Sequence, residues 1–233
     1  MNKYLFLLKY GEEKHLKQLQ SGKLYMNHIG FFKQIPDEVG RFDNMENITD
    51  IWQKPNLIKG ELLCGNTKIA EIDKISIYIP EHDKNQYTHI SSFCLIEIPC
   101  KKALPVYNFV DSRIQKFGDS VLLIHNIKEF IDRIMQAVKF NKKMCKCRVA
   151  PIQYLPQNYH GSVNIFNKFE QFAYQKEWRC AIRNFKDFEK PFYLNIGSIR
   201  DISVLMKTSE LGLQCATINN DRNGFDVFFG QMK

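Results

Sequence analysis

From Glu177 to Arg183 the chain alternates with the period of a strand. Trp178, Cys180 and Ile182 fall on one side, and Glu177, Arg179, Ala181 and Arg183 on the other. An ionised group taken out of water needs a partner. This strand therefore either carries Glu177 at its mouth or sinks it beside a cation. Gln175 precedes Glu177 by two residues, and in an extended chain the two share a face about 6–7 Å apart. An amide and a carboxylate so spaced at a strand mouth are a known catalytic device. Function is expected here first.

The rest of the chain supplies a sheet for that strand. Tyr4–Tyr10 reads as a first strand. Glu12–Gln20 reads as a short helix with Leu16 and Leu19 inward, stopped by Ser21-Gly22. Lys23–His28 and His89–Ile98 read as strands, the second carrying Ser91-Ser92-Phe93-Cys94. His125–Lys142 is the clearest helix, with Ile127, Phe130, Ile131, Ile134 and Val138 at three- and four-residue steps. Arg148–Leu155 and Tyr174–Arg183 are further strands, and Asn158–Phe169 is a segment placed to cover the site. Cys215–Ile218 and Phe225–Phe229 close the chain across an Asn219–Gly224 turn. With no repeat or linker, the reading is one α+β domain over residues 1–233.

Composition narrows the function classes. No apolar run approaches the ~20 residues of a membrane span, so no membrane partner is expected. The apolar start is four residues long and reads as a strand, not a signal peptide. Seven cysteines without a framework suit reduced thiols and a cytoplasmic location. Cys145-Lys-Cys147 lacks a second ligand pair, and no metal is expected. No glycine-rich phosphate loop is present.

Charge is distributed unevenly. The chain carries net +8, and residues 139–190 hold eleven Lys/Arg against four Asp/Glu, a net +7. That excess suits either a solvated face or a polyanion footprint. Tyr154, Tyr159, Phe166, Phe169, Phe172 and Tyr174 interleave with it, a mixture that suits stacked single-strand bases.

Three fragments occur in a telling order: Lys9-Tyr10 ending a strand, Ser91-Ser92-Phe93 opening one, and Gln175-x-Glu177. This order resembles the ADP-ribosyltransferase superfamily. The chain is also similar to a bacterial family with a Lys-Tyr strand, a Phe-x-Asp-x-x-Glu loop, a Ser/Cys-Phe-Ser strand and a Glu-x-Glu-x-Arg strand. The matching positions are Lys9-Tyr10, Arg41-Phe42-Asp43 to Glu46, Ser92-Phe93-Cys94, and Gln175-x-Glu177-x-Arg179. Lys168 falls where that family has a Lys before its last motif.

The resemblance implies split antiparallel sheets with a few flanking helices, and NAD as substrate. It implies a toxin or phage-defence effector with an antitoxin or chaperone as partner; the net +7 of residues 139–190 points to nucleic acid as the acceptor. The alternatives are a protein-modifying transferase and a non-catalytic nucleic-acid-binding module. Glu177 would be catalytic, with Gln175 facing the acceptor. Lys9, Tyr10, Arg41, Ser91, Ser92 and Phe93 would bind the cofactor; Arg41 replaces the Arg or His usual on the first strand. Lys168, Lys176 and Arg179 would meet nucleic acid.

Each residue also has an ordinary reading. Glu177 makes a surface salt bridge to Arg179 or Lys168. Ser91 and Ser92 bond to backbone, Phe93 is core, Lys9 lies along an edge, and Arg41 pairs with Asp43 or Glu46.

Overall fold

The computed structural model describes residues 3–33, 48–52, 60–64, 66–72, 77–80, 87–99, 104–105, 110–142, 144–185, 190–221 and 224–231. Arg41, Asp43 and Glu46 lie outside the described residues. Among those described, eight strands form one antiparallel sheet: β1 (Lys3–Gly11), β2 (Lys23–His28), β3 (Thr88–Pro99), β4 (Ser120–Ile124), β5 (Met144–Pro151), β6 (Glu177–Asn184), β7 (Phe192–Asn195) and β8 (Ser203–Lys207). The spatial order is β5-β6-β3-β1-β4-β8, with β2 joining β3 and β7. A mixed α+β class follows from this sheet and its few helices.

Two helices match their sequence patterns closely. Helix α1 (Glu13–Gln20) buries Leu16 and Leu19. It ends before Gly22, whose φ of +103° is a left-handed value that favours glycine. A second, one-turn helix, α2, spans Ser112–Gln115. Helix α3 (Ile127–Phe140) is capped by Asn126, whose side chain accepts from Glu129 N at 3.0 Å. Its Phe130, Ile134 and Val138 are buried against one face of the sheet with Leu7, Phe93, Leu122, Trp178 and Cys180. Phe93 packs edge-on to both Phe130 and Trp178.

The other face holds two apolar clusters. Phe6, Leu8, Cys94, Ile96 and Val121 form one; Ile29, Ile90, Ile152, Phe166 and Ala181 form the other. Strand alternation produces this division, since residues opposite in register share a face.

Strand β3 is the long member, and its one edge serves two partners. Its distal half pairs with β1, ending at Leu8 opposite Cys94. Its proximal end pairs with β2, through Ile90 and His89. Residues 91–93 lie between, so the sheet is split there. The opposite edge is continuous, with β6 running beside residues 88–94. The chain closes with a hairpin of Gln214–Asp221 against Gly224–Gln231, as the sequence predicts.

Two strand expectations are corrected. Residues 174–176 are not extended. Glu170–Gln175 forms a 3-10 turn, Lys176 takes a left-handed conformation (φ 43°, ψ 45°), and the strand starts at Glu177. The Lys176 N–H closes the turn on Ala173 O at 3.1 Å, while its carbonyl accepts from Leu95 N at 2.7 Å. The expected strand Arg148–Leu155 is two pieces, because β5 ends at Pro151 and Gln153–Leu155 pairs in parallel with Asn167–Phe169.

Candidate active site

The split in the sheet opens into a cleft of about 710 Å³. That lies within the range of about 300–1,000 Å³ that suits small-molecule sites. Lys9, Tyr10, Ser91, Ser92, Phe93, Gln175 and Glu177 all line it, together with Lys168 and Arg179. Residues from four stretches of sequence thus meet in one place.

Lys9 closes the notch. With no described strand on the β1/β2 edge beside residues 91–93, the carbonyl of Ser92 loses a ladder partner. The Lys9 ammonium donates to it at 2.6 Å and reaches Ser91 Oγ at 3.4 Å. The same ammonium lies 4.9 Å from the Phe93 ring centroid. Register places Lys9 with Ser91 and Phe93 on the helix-covered face. Ser92 and Glu177 leave the opposite face. The adjacent serines therefore serve different partners, a division the sequence leaves open.

Ser92 donates to Glu177 Oε1 at 2.5 Å. Arg179 Nε donates to the same oxygen at 2.8 Å, and Lys168 Nζ lies 2.8 Å from Oε2. The carboxylate is 5% exposed, Arg179 1% and Lys168 5%. This is a buried cluster, not the surface salt bridge of the ordinary reading. A carboxylate offers about four acceptor positions. Among the described residues, Ser92, Arg179 and Lys168 take three, leaving one on Oε2. Burial pushes the Glu177 carboxyl up, but Arg179 and then Lys168 outweigh it and hold it well below the usual carboxylate range.

The main chain around Glu177 is fixed as firmly. Its N–H donates to Tyr154 Oη at 2.8 Å, and its carbonyl accepts from Ile152 N at 2.8 Å. Tyr154 is thus a site residue whose sequence signal was only its place in an aromatic run. Gln175, buried in the 3-10 turn, accepts from Lys168 Nζ at 3.2 Å. Lys168 therefore bridges the amide and the carboxylate, and does what an extended Gln-x-Glu spacing was expected to do.

Lys168 and Arg179, read as nucleic-acid contacts, line the cleft but are buried against Glu177, whereas Lys176 is exposed. The aromatic run is corrected in part. Phe166 and Phe169 are core, and Tyr154, Tyr159, Phe172 and Tyr174 are half-buried. Tyr10 is buried on the cleft wall, its hydroxyl without a hydrogen-bond partner among the described residues.

Chemically, the floor sets an ionised carboxylate among the cationic groups of Lys9, Lys168 and Arg179. Such a floor attracts an anionic ligand and offers one carboxylate position to a hydroxyl. Comparison with protein-family models, with curated proteins and with solved structures finds no match to this chain.

Proposed function

We propose that the cleft binds NAD and transfers its ADP-ribose to a nucleic-acid acceptor. The observation that carries this reading is the placement of Glu177. It is ionised, held by Ser92, and set in one cleft with Lys9 and Ser91. Breaking the bond between ribose C1′ and nicotinamide sends the electron pair out with nicotinamide and builds positive charge on the sugar, as in glycoside cleavage. A fixed carboxylate stabilises that charge without reorganising, and the open position on Oε2 suits a ribose hydroxyl. Lys9 faces the phosphates. The acceptor atom then bonds to C1′ and releases its proton to solvent. Gln175 orients the acceptor, since an amide is no base. The split antiparallel sheet suits the ADP-ribosyltransferase fold that the sequence resembles.

One observation favours a second reading. Lys168 and Arg179 both pair with Glu177 in a buried cluster. A structural cluster in a non-catalytic nucleic-acid-binding module would have the same form.

The experiment is incubation with adenylate-labelled NAD and RNA, DNA or cell lysate. The transferase reading expects nicotinamide release and label on nuclease-sensitive material, both lost in Glu177→Gln. Nucleic-acid binding with no nicotinamide release overturns it in favour of the binding module. Protease-sensitive label assigns a protein acceptor instead.

A further inference from the structure

Of the interleaved aromatics of residues 154–174, Phe166 and Phe169 are core and the other four are half-buried. Exposed aromatic rings line the same cleft elsewhere. Along β2, Leu24 and Met26 point into the core, while Lys23 and Tyr25 are exposed on the other side. Tyr25 stands opposite Tyr193 of β7 in register. Their ring centroids are 5.4 Å apart at a tilt of 58°. Tyr25 is 44% exposed and Tyr193 50%, and Phe31, in the 3-10 turn after β2, is 47% exposed. All three line the cleft that holds Glu177.

Three rings on one rim need an explanation, because exposed apolar surface gathered at a cleft marks a contact site. Cross-strand pairing fixes the two tyrosines, and Tyr193 Oη donates to Gln18 Oε1 at 3.1 Å. Little ordering is left for a ligand to impose. The floor residues Phe93, Gln175 and Glu177 are 3%, 7% and 5% exposed. The rim is open where the floor is closed, so it receives a group arriving from solution. Lys23 also lines the cleft and is exposed there, a cation placed beside the rings for a backbone phosphate.

We propose that Tyr25, Tyr193 and Phe31 form a stacking seat for an unpaired base of single-stranded nucleic acid. This rests on reading the cleft as a transferase site with a nucleic-acid acceptor, and it adds that the acceptor is single-stranded. Flat rings stack on any base, whereas a duplex hides its base faces. The seat selects strand state before sequence.

The test is fluorescence anisotropy of the full chain with a labelled oligonucleotide of about 12 nucleotides, as DNA and as RNA, single-stranded and annealed to its complement. Single strands are expected to bind about tenfold or more tighter than duplex. Tyr25→Leu/Tyr193→Leu weakens single-strand binding about tenfold or more, whereas Tyr25→Phe/Tyr193→Phe retains it, because stacking needs the ring and not the hydroxyl. Equal binding of duplex and single strand overturns the seat. So does undiminished binding by the leucine variant with an unchanged melting curve, or equal loss in both variants. Wild-type NAD hydrolysis, measured alongside, separates the two ideas. Hydrolysis with ring-independent binding removes the seat and leaves the transferase; ring-dependent binding without hydrolysis does the reverse.

Discussion

Glu177 is the residue on which the cleft turns, and its surroundings fix what its replacement does. Glu177→Gln leaves Lys168 and Arg179 buried without a carboxylate, a loss of about 3–5 kcal/mol for a broken buried pair. On the transferase reading it also lowers nicotinamide release by about 10²–10³-fold or more, the scale of one lost electrostatic stabiliser. Ser92→Ala removes one hydrogen bond to a charged group, about 1.5–3 kcal/mol, and leaves both ion pairs. A melting curve and a nicotinamide-release assay check the order. A larger stability loss in Ser92→Ala than in Glu177→Gln contradicts the cluster.

The pH dependence has a definite sign. The carboxyl is held below its ordinary value of 4.5, so its stabilisation is complete above that pH and is lost as pH falls beneath it. The melting temperature should therefore be insensitive to this group between about pH 5 and about pH 8 and drop on further acidification. Glu177→Gln should flatten part of that acid limb; identical acid limbs in the two proteins contradict it.

Local elements are legible in the sequence wherever a periodic pattern belongs to one segment. Helix α3 and strand β2 follow their patterns because each buries a stripe that its own spacing defines. What failed depends on distant pairing. Ser91 and Ser92 take opposite faces, and only their register with β6 decides which one meets Glu177. Lys168 sits beside Glu177 because its strand runs parallel to Gln153–Leu155, and no local spacing encodes that. The Tyr25–Tyr193 pair joins residues 168 positions apart and left no mark in either segment. Gln175 and Glu177 do line one cleft, but a turn and a lysine bridge join them, not an extended strand.

That turn ends in a testable residue. Lys176 holds a left-handed conformation that costs a non-glycine residue about 1–2 kcal/mol. Lys176→Gly should keep or raise the melting temperature, whereas Lys176→Pro removes the N–H that closes on Ala173 and cannot take a positive φ. A stable, active proline variant would contradict this account of how β6 begins. Gly22 is more tightly bound to its place. A Cβ there would lie 2.3 Å from Gly197 O, and φ is +103°. Gly22→Ala should cost more than the about 1–2 kcal/mol of left-handed strain, because backbone must also move. Denaturant unfolding measures this loss.

Across the molecule, the basic excess of residues 139–190 divides among several tasks. Lys168 and Arg179 serve the buried cluster. Lys146 and Arg148 are exposed on β5, a sheet-edge strand among the described residues, where charge discourages pairing with a second chain. Net charge alone thus overstates the nucleic-acid footprint. Lys23, outside that segment but exposed on the cleft, is a better candidate. Each phosphate neutralised on a single strand contributes about −0.7 to the slope of log affinity against log salt. Lys23→Gln should reduce the slope of oligonucleotide binding by about 0.7. An unchanged slope in a salt titration removes Lys23 from the footprint. No helix of the described residues is long and apolar enough to cross a membrane.

The notch at residues 91–93 also has a mechanical meaning. β1 and β2 are two leaves hung on one spine, β3, with α1 as the strap between them. A ligand lying in the notch would brace both leaves at once. Amide hydrogens of β2 should then exchange more slowly with NAD bound, including those on residues the nucleotide never touches, and the slowing should fade along β4, which pairs with β1, and β8, which reaches β1 only through β4.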